Sequence, residues 1–217
     1  MRKQFLLLLL LSITSLFGQK LKFDVMAEYD ILEEKSFFKK SAYKITDNDR
    51  YIMQVLNQYD GKQIAEVFDL ISLKKHLFTI KETKTISGLI TYDFQYIKTR
   101  PFERSPIKNI YFDFIRISIE DNIERVELIF YRNKSKSKIA YVLDLKILKS
   151  EVNFFPLFRF VSLHPSEFIT DLNYSNGGLV TSCTSRKGPK KTILKAFQEV
   201  NLQLMIPTES LLVVKKY

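Results

Sequence analysis

A serine or cysteine nucleophile needs a base within reach, and the chain carries only His76, His164 and one cysteine, Cys183. His76 falls in a run that reads as a surface strand, and His164, followed by Pro165, reads as a turn residue. Cys183 would become a thiolate only beside a base or a helix N-terminus. Within LVTSCTS it reads as a small packed strand residue. The strained G-x-S-x-G turn that exposes a hydrolase serine is absent. No catalytic residue is assigned.

Acids and glycines lead to the same place. Glu33-Glu34, and Glu120-Asp121 with Glu124 and Glu127, are close in sequence and read as solvated loop acids; glycosidase chemistry needs a separation across a cleft that spacing alone does not define. Asp47-x-Asp49 opens like a calcium loop, but Ile52 stands where such a loop needs glycine and Gln58 where it needs a bidentate acid. Two distant histidines and one cysteine make a poor zinc set. The six glycines are not spaced to cradle phosphate. The expectation is therefore a protein with no metal, no cofactor and no catalysis.

Two other groups of residues can bind rather than react. Arg132, Lys134, Lys136 and Lys138 cluster in one expected hairpin tip, and Arg186, Lys187, Lys190 and Lys191 in another. If both tips lie at one end of the sheet, they form a rim for an anionic membrane surface or a polyanionic glycan. Charged tips also keep sheet edges from pairing. The second group, Phe154, Phe155, Phe158 and Phe160, could line a groove for a lipid acyl chain or pack as core. Nucleic acid is not expected, because no module of stacking aromatics accompanies the positive charge.

The elements that must position these groups begin after a leader. Met1-Arg2-Lys3, the apolar block Phe5 to Leu11 and the small residues before Gln19 form a signal peptide, with cleavage expected after Gly18. A block this short falls below the ~20 apolar residues of a membrane helix. Removing residues 1–18 takes the formal charge from +10 to +8 and leaves 199 residues, the size of one domain with an ample core. A lone cysteine allows no internal disulfide, so an exported chain of this kind suits a bacterial envelope, periplasmic or secreted.

From Gln19 onward the pattern is one of short strands. Gln19 to Ile31 alternates; Glu33 to Asp49 reads as a charged loop with one strand at Ser41 to Ile45. Arg50 to Glu82 reads as a three-stranded meander whose first turn is a two-residue loop at Asp60-Gly61, residue types that tolerate positive φ. That loop pairs Tyr51 with Leu70 and Met53 with Phe68, and leaves one face half polar. A rival reading puts a helix over 62–80, capped by Asp60 with Gln63 as its box partner. Strands are preferred because β-branched and aromatic residues flank the turn.

Further strands are expected at 83–100 with Gly88 as a possible bend, at 110–119, 125–131, 139–147, 179–185 and 192–206, and a short helix at 165–172. The expected fold is mainly β: a curved antiparallel sheet, half-barrel or sandwich-like, in one domain over 19–217. That architecture is similar in outline to half-barrel lipoprotein carriers, a likeness of class with no shared motif. The expected function is non-catalytic binding or carriage of a lipid or other apolar ligand in the envelope. The alternative is a structural or interaction protein that binds another envelope protein through sheet edges and basic loops.

Overall fold

From Leu21 to Ile31 every second side chain is buried, and residues 19–33 form β1 (Gln19–Glu33). A period of two puts successive side chains on opposite faces, so from Val25 to Ile31 one face of this strand is apolar. The structure, a computed structural model, describes residues 18–57, 61–84, 90–101, 111–163 and 172–207. The expected leader up to residue 17, Asp60, Gly88, His164 and residues 165–171 of the expected helix lie outside them.

Among the described residues ten more strands follow β1: β2 (Ser36–Ile45), β3 (Asn48–Asn57), β4 (Gln63–Asp69), β5 (Lys74–Lys84), β6 (Ile90–Pro101), β7 (Tyr111–Glu120), β8 (Ile123–Tyr131), β9 (Ile139–Leu148), β10 (Leu179–Ser185) and β11 (Lys191–Ile206). All join one antiparallel sheet in the order β6-β5-β4-β3-β2-β1-β11-β10-β9-β8-β7. The chain walks outward from β1 to β6, resumes at the far edge with β7, and walks back to β11, which pairs with β1 in the middle. The sheet is open, with β6 and β7 as its edges.

One helix, α1 (Phe155–Ser162), lies on the sheet, and all eight of its residues are buried. Asn153 accepts the Phe155 amide at 3.0 Å and Pro156 occupies the first turn, two features that favour a helix start. The Leu163 amide bonds to the Arg159 carbonyl at the other end. Helix rings meet rings from distant strands: Phe158 meets Tyr29 of β1, Phe160 meets Phe68 of β4 and Phe155 meets Phe114 of β7. This cluster runs along Val25 to Ile31 of β1 and takes in Val126, Leu128 and Phe130 of β8.

A second cluster forms on the other face of β3 and β4, from Tyr51, Met53, Ala65 and Val67, together with Phe78, Leu21, Phe23, Leu204 and Ile206. β3 and β4 thus bury apolar side chains on both faces, since Ile52 and Phe68 belong to the helix side. On β1 the change of cluster falls between Phe23 and Val25, where the pairing with β11 shifts. A shift of that kind adds twist and redirects side chains.

Three expectations need correction. The β3–β4 register is one residue off the two-residue-loop count: Tyr51 faces Asp69, Ile52 faces Phe68 and Met53 faces Val67. The last pair is Asn57 with Gln63, so the connection spans five residues; Gly61 keeps its positive φ of 77°. Sliding by one changes every facing pair, and the helix-side face keeps polar residues among its apolar ones: Gln54 faces Glu66, Gln54 donates to the Phe160 carbonyl of α1 at 3.1 Å and Glu66 accepts from Lys75 at 2.8 Å. Secondly, Ser36 to Lys40 is strand rather than loop. Thirdly, His76 is buried rather than on the surface. Residues 63–69 and 74–84 are strands, which removes the rival helix.

Candidate ligand cleft and basic rim

The β6 side of the sheet curls until β6 touches β11, with Phe94 and Leu202 both packed against the second cluster. Inside that curl, where the cluster stops, lies an open cleft of about 310 Å³. Its apolar lining is Met26, Tyr43, Val55, Ile80, Phe94 and Leu202. Its polar lining is Glu28, Lys39, Ser41, Asn57, Gln63 and Tyr92, of which Gln63 donates to Asn57 at 3.1 Å. Burial, then the nearby Tyr92 and Glu28, push the Tyr43 phenol up to about 12. It stays a neutral donor at neutral pH.

Register explains why these residues converge. Met26 faces Tyr43, Glu28 faces Ser41 and Ser41 faces Val55, so one face of three adjacent strands supplies one wall. Ile80 faces both Gln63 and Phe94, which carries that face across β4 and β5 to β6. A lining with one greasy side and several fixed polar groups suits an amphipathic ligand, and the volume is at the low end of the ~300–1,000 Å³ usual for ligand pockets.

Neighbouring strands run in opposite directions, so the β1–β2, β8–β9 and β10–β11 turns all lie at one end of the sheet. The two basic tips therefore share an end, as a rim requires. Their charges are not all free. Arg186 holds Asp144 through Nε at 3.0 Å and Nη2 at 2.7 Å and also binds Glu127, so side-chain hydrogen bonds raise its pKa. Lys136 binds Asp113, and Lys190 binds Glu33 at 2.8 Å. Arg132, Lys134, Lys138, Lys187 and Lys191 form no ion pair among the described residues; Lys187 Nζ donates to the Ala140 carbonyl at 3.4 Å.

Phe154, Phe155, Phe158 and Phe160 are brought together on α1 and at its start, all buried, and line no part of the cleft in the curl. Cys183 is buried and its thiol is pushed up to about 12 by burial first and by Asp144 in addition. Such a thiol is a poor nucleophile at neutral pH. His76 Nδ1 lies 2.6 Å from Thr99 Oγ1, and Tyr96 OH lies 2.8 Å from the same hydroxyl. Asp49 is bound by the Lys44 ammonium at 2.8 Å, so the residue that looked like a calcium ligand neutralises a buried lysine.

The cleft residues were missed in the sequence because the β1–β2 hairpin meets β11 through long-range pairing and β6 reaches β11 only once the sheet has curled. Among the described residues the fold and cleft define a class, an open eleven-stranded antiparallel sheet with one buried helix and a cleft in its curled side. No family model matches the chain, and no curated protein matches it.

Proposed function

We propose that the protein is an exported, non-catalytic carrier of the bacterial envelope, cleaved after Gly18 and periplasmic or secreted, that holds the apolar part of a lipid-like ligand. The curled side β6 to β11 acts as a half-barrel and its cleft as the seat of the ligand. The observation that supports this reading most is the lining itself, with Val55, Ile80, Phe94 and Leu202 beside Glu28, Lys39 and Tyr92. The basic end then brings the carrier to anionic lipid headgroups or polyanionic glycans. Native mass spectrometry of the protein purified from its own envelope tests it: a co-purifying lipid mass is expected, and protein that emerges bare and also ignores a fluorescent long-chain fatty acid sinks the proposal.

The alternative, a protein that binds another envelope component through a sheet edge, has one observation of its own. β7 is an edge strand and presents Ile115 and Ile117 exposed on either side of Arg116. An open apolar edge is a template for strand addition. Cross-linking in intact cells that joins β7 to a protein partner would favour it over carriage.

A further inference from the structure

The wall of the cleft does not stop at its mouth. Along β1 and β2 the same face continues from Glu28 and Ser41 to the pair Asp30 and Lys39 and then to Leu32 and Phe37, which face each other one step before the turn. Glu34 and Lys35 make that turn, with Glu34 at a φ of 45°. Phe37 is 56% exposed, Phe38 on the opposite face 45% and Leu32 40%. This hairpin end, with β11 alongside β1 as far as Leu32, thus shows an apolar side chain on each of its faces.

This tip stands at the basic end. Lys191 pairs with Leu32, the β10–β11 turn lies across an open cleft of about 470 Å³, and the β8–β9 turn is at the same end. Burial lowers the pKa of Lys40, and the neighbouring Lys190 ammonium lowers it further, against an opposing pull from Glu33. Lys40 and Lys190 therefore sit near enough to act on each other's charge. Glu33 and Glu34 are the acids at the turn, and Glu33 is taken up by Lys190.

We propose that the β1–β2 hairpin tip is a membrane anchor: Leu32, Phe37 and Phe38 enter the headgroup region of an anionic bilayer while the flanking lysines and arginines bind its phosphates. The inference rests on the reading of the basic end as a surface for anionic partners and adds the element that penetrates and the lipid that it penetrates. Shape and charge together select a bilayer. Two half-exposed rings and one leucine offer on the order of 250 Å² of apolar surface, well short of the ~800 Å² per partner of a stable protein interface. Aromatic side chains set among cations are the composition that interfacial anchors use.

Since the chain has no tryptophan, Phe37→Trp in the full chain places a single reporter on the tip, and Ile71→Trp places one on the exposed β4–β5 turn at the opposite end. With phosphatidylglycerol vesicles the Phe37→Trp emission should shift to the blue and be quenched by brominated acyl chains, and Ile71→Trp should do neither. Phe37→Ser with Phe38→Ser should weaken flotation with these vesicles at least tenfold. Binding without a shift at Phe37→Trp, an equal shift at Ile71→Trp, or the same shift with soluble heparin in place of vesicles would each overturn the proposal. Fatty-acid uptake by the double serine variant reports the cleft separately, so failure of the anchor and failure of the carrier reading are told apart.

Discussion

The Tyr29 hydroxyl donates a 3.0 Å hydrogen bond to the Val180 carbonyl, joining β1 to β10 over the intervening β11 and 151 positions along the chain. The β10–β11 ladder covers only Ser182 to Thr184. Beyond its end, in a fully buried position, Tyr29 supplies the donor that Val180 uses. Burial pushes the phenol's pKa far up, so at neutral pH it keeps its proton and donates. Tyr29→Phe removes the donor and little else, and leaves a buried acceptor unpaired, which costs about 1–3 kcal/mol. Denaturant unfolding should show that loss with an unchanged m-value.

Core and surface aromatics should behave in opposite ways. Phe158 is fully buried on α1 and meets the rings of Tyr29 and Phe155, so Phe158→Ala opens a cavity where β1 and the helix meet and should cost about 3–5 kcal/mol. Phe37→Ala, at an exposed tip, should stay within about 0.5 kcal/mol. Thermal melts of the two variants side by side check this. Equal losses would mean that the hairpin tip is part of the core.

Most strands were legible because their signal is local. Leu21 to Ile31, Ile139 to Ile147 and Val200 to Ile206 alternate apolar and polar residues with a period of two, and Gly188 and the turn at Asp121 interrupt where the chain reverses. The β3–β4 register was not legible, since it depends on how many residues the turn consumes, and one residue changes every facing pair. Nor was α1: Asn153 and Pro156 mark its start, but a segment of four aromatic and β-branched residues in eight has weak helix propensity, and burial against β1, β2 and β3 decides its conformation. The cleft was least legible, because Tyr43, Phe94 and Leu202 lie up to 159 positions apart and meet only once the sheet has curled.

His76 makes stability depend on pH. Burial lowers its pKa in the fold, and the positive charges of Lys74 and Arg50 add to this against the pull of Asp69. The unfolded chain, with an ordinary histidine near pH ~6.5, therefore takes up its proton first as the solution is acidified. Stability from this group is complete above about pH 6.5 and declines as the pH falls from there toward the lower folded value. Guanidinium titrations at pH 7, 6 and 5 should show a falling unfolding free energy, and His76→Gln should flatten that fall. An equal slope in the variant would assign the pH dependence to other groups.

Filling the cleft should abolish uptake and leave the fold in place. Ser41 is half-buried on the cleft wall, between Glu28 of β1 and Val55 of β3, and its side chain points into the open space rather than into either apolar cluster. Tryptophan is a good strand residue, and its ring would occupy much of the cavity without displacing packed neighbours. Ser41→Trp should therefore lower affinity for a fluorescent long-chain fatty acid at least tenfold while shifting the unfolding midpoint by no more than a surface substitution does, within about 0.5 kcal/mol. Uptake that survives Ser41→Trp would place the fatty acid elsewhere on the protein and remove the cleft as its seat.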